Sequence, residues 1–232
     1  MNQWVSLAVS YAAVFAVVGT AGILARKGAI SGEAARKVIH IGVSNWIILA
    51  LFIFRDWYFA IVGPLSFIVI NYVSWKLDLF KGMESGDKSP GTVFFAVSLS
   101  ILTWHFWWLT SIGAGDFRYA AVMGILVLGW GDGLAAVFGH KWGKKKLVGE
   151  KTLVGTLTML VTGAVVVFLV LTLTGVHDIL TNVLLALGLS ALGTLTELFL
   201  PGGWDNLLIP LVVSYAYYGW LWVCNLAAGG VF

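Results

Sequence analysis

The stretch WGDGLAAVFGHKWGKKKLVGEKTLVGT, residues 130–156, decides how the rest of the chain is read. It sets Asp132 inside an apolar segment and follows it with Lys141, Lys144, Lys145, Lys146 and Lys151. A carboxylate within a hydrophobic helix is costly to bury and is by default a functional-site hypothesis. Gly131 and Gly133 flank it, and Ala135, Ala136 and Gly139 follow on the same helical face, where small side chains let another helix approach closely. At the helical rise per residue, Asp132 lies roughly 12 Å inside the lysine-bearing end, recessed but reachable.

Working outward, the 232 residues are 59% hydrophobic and only 11% charged, with a mean hydropathy of +0.93. That is far from a soluble domain and implies an all-α fold, a polytopic integral membrane helix bundle. A span needs roughly 20 apolar residues, and runs of that kind fall at about 3–25, 38–54, 57–75, 92–113, 118–140, 153–175, 179–200 and 206–227. The connecting loops are short and polar, without a Gly/Ser linker or a repeat, so one transmembrane domain is expected over 1–232. Gln3–Ala25 is too long for a signal-peptide core and has no basic residue ahead of it, so it is expected to remain as a span. With no transit segment, a prokaryotic plasma membrane suits the chain. Cys224 has no intrachain partner and reads as a helix-packing residue. A formal charge of +3 gives no reason to expect nucleic acid. The oligomeric state is not legible.

Charge position sets the topology. Arg26, Lys27, Arg36 and Lys37 fall in the first loop, Lys76, Lys81 and Lys88 in the third, and the lysine run in the fifth, whereas the even-numbered loops carry only Arg55 and Arg118. By the positive-inside rule the odd loops are cytoplasmic and both termini are outside. Every polar cluster, RKVIH, ESGDKSPGT, the opening stretch and ELFLPGGWDN, then shares one face. A transporter would instead place polar groups near the midplane on interrupted helices, and a transporter or lipid-binding protein leaves this one-sided gathering unexplained.

The chemistry these clusters suggest is phosphate handling. Asp132 suits a divalent cation, since Mg²⁺ accepts a few carboxylates and fills its other positions with water and phosphate oxygens; pairing with a lysine is the plain alternative. Lys144, Lys145 and Lys146 fit nucleotide phosphate or lipid headgroups equally well. Lys151 opens KTLVGT, where Thr152, Gly155 and Thr156 surround the expected N-terminus of the sixth helix, a natural phosphate position. This is not a GxxxxGK[ST] loop. Glu197, and Asp205 with Asn206 beyond Pro201, supply further acids on the same face, able to share Mg²⁺ or to deprotonate a hydroxyl; Asp205 is equally placed to cap a helix. Arg36 and His40 lie one turn apart at the mouth of the second span, with Lys37 beside them, as a phosphate clamp or as interfacial snorkelling groups. SPGT, Ser89 to Thr92, reads on chemistry alone as a helix cap.

In order and spacing, RKVIH, PGT, GDGLAAVFGHKWG, KTLVGT and ELFLPGGWDNLLIP resemble the phytol, dolichol and polyprenol kinase family, over about Glu33 to Pro210 and closest on the phytol kinase side. The resemblance implies an integral membrane enzyme that transfers the terminal phosphate of a nucleoside triphosphate, typically CTP, to the hydroxyl of an isoprenoid alcohol. The wider group includes CTP-dependent diacylglycerol kinase and is distantly similar to phosphatidate cytidylyltransferases. It would make Asp132 a metal or nucleotide ligand, Lys151 and Thr152 phosphate contacts, Asp205 and Asn206 part of the active site, and Arg36, Lys37 and His40 the first motif, with Thr92 in the second. Val154 and Thr156 depart from the family's KT-x-x-GS segment, where a polar or acidic residue and a serine are usual.

Overall fold

A computed structural model describes residues 2–77, 90–201 and 203–227. Lys81, Lys88 and Ser89, used above in the loop count and the SPGT cap, lie outside the described residues, as do Glu84 and Asp87.

Among the described residues, eight helical segments are long and apolar enough to cross a membrane. The first is α1 (Gln3–Arg26); the second joins α2 (Gly32–Ser44) to α3 (Trp46–Ile53); the third joins α4 (Trp57–Ala60) to α5 (Val62–Lys76); the fourth is α6 (Gly91–Ser111). The fifth joins α7 (Arg118–Leu126) to α8 (Gly133–Trp142) through a π-helical segment, Val127–Asp132. The last three are α9 (Leu153–Thr174), α10 (Ile179–Phe199) and α11 (Asp205–Ala227). A short antiparallel hairpin, β1 (Lys146–Val148) with β2 (Lys151–Thr152), fills the loop before α9 and turns through Gly149 at φ +53.

The second span corrects the expected boundary. It begins at Gly32, not near 38, because the Ser31 hydroxyl caps it by accepting from the Ala34 N–H at 3.1 Å and Glu33 complements the dipole of the first turn. Arg36 and Lys37 therefore sit inside the helix, not at its mouth. Hydropathy missed this turn because its charged residues look like loop. The same span bends at Asn45: the Ser44 hydroxyl donates to the His40 carbonyl at 2.7 Å and the Asn45 amide to the Ile41 carbonyl at 2.7 Å, back-bonding of the kind that bends helices.

The fifth span is the most buried of the eight and forms the axis of the bundle, with α2, α6, α9, α10 and α11 packed around it. Its glycines permit that crowding. A Cβ on Gly131 would lie 2.5 Å from the Met159 sulfur, and one on Gly133 2.6 Å from Ile41 Cγ1. Further along, Gly139 faces Gly155 of α9, and a Cβ on Gly155 would meet the Ala135 carbonyl at 3.1 Å. The small face read from the sequence thus packs on α9, which fixes the depth of Asp132 relative to the start of that helix. Buried Phe106, Trp107, Met123, Leu128, Ile209 and Tyr217 fill the space between α6, the fifth span and α11.

Candidate functional site

Lys37, His40, Asp132, Lys151, Glu197 and Asp205, six of the charged or titratable groups singled out in the sequence, come together at one end of the bundle, from four different spans and the hairpin. Asp132 ends the π-helical segment, where the wider turn displaces the side chains that follow from regular α-helical phase. Its carboxylate meets two groups of α2, Lys37 Nζ at 3.8 Å and His40 Nε2 at 3.7 Å. Arg36, on the same helix, adds positive potential to it. The His40 ring packs 5.8 Å from that of Phe95 in α6, and its Nε2 is buried without a hydrogen-bond partner.

Lys151 forms the second half. The β1–β2 hairpin directs its side chain inward, where Nζ pairs with the Glu197 carboxylate from the end of α10 and stands 3.6 Å from Asp205 Oδ2 at the start of α11. Burial by itself lowers the pKa of this ammonium, but the carboxylates of Asp132, Glu197 and Asp205 outweigh burial and hold it above the ordinary lysine value. Glu197 is the deepest member: its side chain is 5% exposed, and Oε2 has no hydrogen-bond partner. Asp205 is the first residue of its helix and spends its other oxygen on the Asn206 N–H at 2.9 Å, so it has both the terminal and the site position that the sequence allowed.

Several residues take other places than expected. Lys144 is exposed in the segment before β1 and Lys146 pairs with Glu150 at 2.5 Å, so neither is brought to the cluster acids. Thr152 is the N-cap of α9, its hydroxyl oxygen accepting from the Gly155 N–H at 3.1 Å. The Leu153 N–H already donates to the Lys145 carbonyl at 2.8 Å. The start of α9 therefore has fewer free donors for phosphate than KTLVGT suggests, and Gly155 serves helix contact. The Thr156 hydroxyl is buried without a hydrogen-bond partner. Thr92 is exposed at the start of α6, its carbonyl accepting from the Asn71 amide at 2.9 Å. Asn206 is held through its backbone, its carbonyl accepting from Ser98 at 3.0 Å.

Two supporting residues carry no local sequence signal. Ser98 ties α6 to the first turn of α11 and so fixes Asp205. Asn45 accepts from Trp130 Nε1 at 3.2 Å, bracing α2 against the segment that ends in Asp132. Each acts across a large sequence separation, which no motif could announce.

Among the described residues, no group of three or more His, Cys, Asp or Glu side chains is arranged to hold a metal ion; the acids are occupied by lysines instead. Asp132 nevertheless stands beyond hydrogen-bond length from its cationic partners, and Glu197 keeps one oxygen unengaged. Such donors fit Mg²⁺ that draws most of its ligands from phosphate and water, not a closed protein cage. A groove of about 150 Å³ between α2 and α8, lined by Ser31, Glu33, Lys37, Ala136, Val137 and His140, opens beside Lys37. A larger depression, about 530 Å³, lies among Asn2, Gln3, Trp4, Arg55, Asp56 and Phe59, none of which belongs to the charged cluster.

Fold and site together define a polytopic membrane protein with a dense, charge-balanced cluster at one end of its helices. No family model matches the chain, and no solved structure matches it. A phytol kinase of Synechocystis sp. is 34% identical over 228 residues, covering 94% of each chain. The chain belongs to the phytol kinase-like family.

Proposed function

We propose that this protein is a lipid kinase that transfers the terminal phosphate of a nucleoside triphosphate, CTP by preference, to the hydroxyl of an isoprenoid alcohol such as phytol, farnesol, geranylgeraniol or a polyprenol. The observation that carries the reading is the meeting of Lys37, His40, Asp132, Lys151, Glu197 and Asp205 at one end of a membrane bundle, in a chain related over nearly its whole length to a phytol kinase.

In this reading Arg36, Lys37 and Lys151 bind the phosphates and offset the charge that spreads over the transferring group. Asp132, recessed behind the cluster, orients the acceptor hydroxyl and takes its proton, with His40 beside it. The acceptor oxygen forms a new bond to the terminal phosphorus, and the bond from that phosphorus to its bridging oxygen breaks, releasing the nucleoside diphosphate with the electron pair. Mg²⁺, held by Asp132, Glu197 or Asp205, would further neutralise the phosphates. The isoprenoid tail stays among the apolar helices, which spares the cost of drawing it into water. The positive-inside pattern supports a cytoplasmic active face, with both termini outside.

The test is transfer of terminal-phosphate label from CTP and from ATP to phytol, farnesol, a longer polyprenol and diacylglycerol by the purified protein. Labelled phytol or another isoprenoid alcohol is expected. Label on diacylglycerol alone, a nucleotidyl product with release of pyrophosphate, or no labelled lipid refutes the assignment.

A further inference from the structure

The charged cluster sets a lysine ammonium between two of its acids. Lys151 Nζ lies between Glu197, in the last turn of α10, and Asp205, the first residue of α11. Glu197 Oε2 is buried with no partner, although its side chain is only 5% exposed. A carboxylate so desolvated normally engages both oxygens. One strong contact and one idle oxygen are what remains when a monovalent ammonium stands in for a cation able to draw on both.

The elements that carry these groups differ in freedom. Glu197 and Asp205 are fixed on membrane-spanning helices, the latter braced by the Ser98 bond to the next residue. Lys151 belongs to a half-buried two-residue strand whose partner strand is exposed, and its own side chain is 32% exposed. A lysine has a long flexible stem that can carry its ammonium several ångströms without moving the backbone. Charge bookkeeping points the same way. Arg36, Lys37 and Lys151 balance Asp132, Glu197 and Asp205, so a divalent cation added with Lys151 in place would leave the cluster overcharged, whereas incoming phosphates give the displaced ammonium a new partner.

We propose that Lys151 is the resting counter-ion of a divalent-cation position formed by Glu197 and Asp205, and that cation binding displaces it toward the nucleotide phosphates. This rests on the reading that the site takes a nucleoside triphosphate. Without the cation the lysine holds the two acids together, and on cation binding it becomes a phosphate ligand. Metal affinity without nucleotide is therefore low by construction, and metal and nucleotide favour each other's binding.

The experiment uses Mn²⁺ as the probe, with binding to the detergent-purified protein followed by electron paramagnetic resonance in the absence of nucleotide. Lys151→Gln should bind Mn²⁺ at least about tenfold more tightly than wild type, and Lys151→Gln/Glu197→Gln should lose that gain. Equal affinity of wild type and Lys151→Gln overturns the proposal, as does a gain that survives loss of the Glu197 charge. A second measurement needs no variant: in wild type, saturating Mn²⁺ should raise acylation of Lys151 by an amine-reactive reagent relative to Lys146, which is already exposed. Unchanged labelling of Lys151 also overturns it. Neither readout requires phosphate transfer, so failure of the kinase reading appears separately in the labelling panel with lipid acceptors.

Discussion

Replacing Lys151 by alanine strips the counter-charge from two acids at once, and the structure sets the scale of the loss. Lys151 Nζ stands 3.6 Å from Asp205 Oδ2 and closer still to Glu197. At an effective dielectric constant of about 20, one pair at that distance is worth roughly 4–5 kcal/mol. Partial exposure of the ammonium brings solvent screening that reduces this by about half. Leaving Glu197 charged, buried and unpaired restores part of the cost, since breaking a buried pair from one side typically costs about 3–5 kcal/mol. The expected loss for Lys151→Ala is therefore about 3 kcal/mol, or roughly 6–12 °C in melting temperature for a chain of this size. Removing the stranded charge as well, in Lys151→Ala/Glu197→Gln, should recover about half of it, because the remaining amide needs less compensation. Thermal melting in detergent, followed by the fluorescence of the twelve tryptophans, reads all four corners of the cycle. Strictly additive single and double variants, or Lys151→Ala melting within a degree of wild type, would refute the ion-pair argument.

Asp132→Asn keeps the shape of the side chain but removes the charge that faces Lys37 and His40, and should lower phosphate transfer by about 100-fold or more while melting shows a folded bundle; wild-type turnover would remove Asp132 from the chemistry. Gly124→Ala drives a methyl into the Pro210 carbonyl and the Ser214 hydroxyl of α11 and should cost about 1–3 kcal/mol, whereas Gly188→Ala, where an added Cβ meets nothing within 4 Å, should melt like wild type. At the opposite end from the cluster, the Arg118 guanidinium donates to the Asp116 carboxylate at 2.6 and 2.7 Å and holds its pKa below the usual aspartate value. That contribution is complete above the unfolded-state pKa and is lost as pH falls through the lower folded one. Asp116 is half exposed, so Asp116→Asn should cost no more than about 1 kcal/mol at neutral pH and nothing at strongly acid pH; a penalty that persists in acid contradicts the pairing.

Hydropathy in the sequence alone determined that this is a helical bundle, with eight membrane-length helices among the described residues, because crossing a bilayer demands a run of apolar residues that few other structures need. The same reasoning isolated Asp132, since a charge in such a run is conspicuous, and the order of the short motifs led to the family. What sequence periodicity cannot carry is which helical faces meet. Glu197 and Lys151 are 46 residues apart, and their pairing exists only because α9 and α10 pack closely while a hairpin turns the lysine back inward. The π-helical segment, the early start of α2 and the use of Thr152 as a cap were likewise settled by competition for backbone hydrogen bonds and space. Lys151 already stood apart from Lys144 in the sequence by its place at the head of KTLVGT; the tertiary structure supplies the physical reason, leaving Lys144 in solvent and Lys151 among Asp132, Glu197 and Asp205.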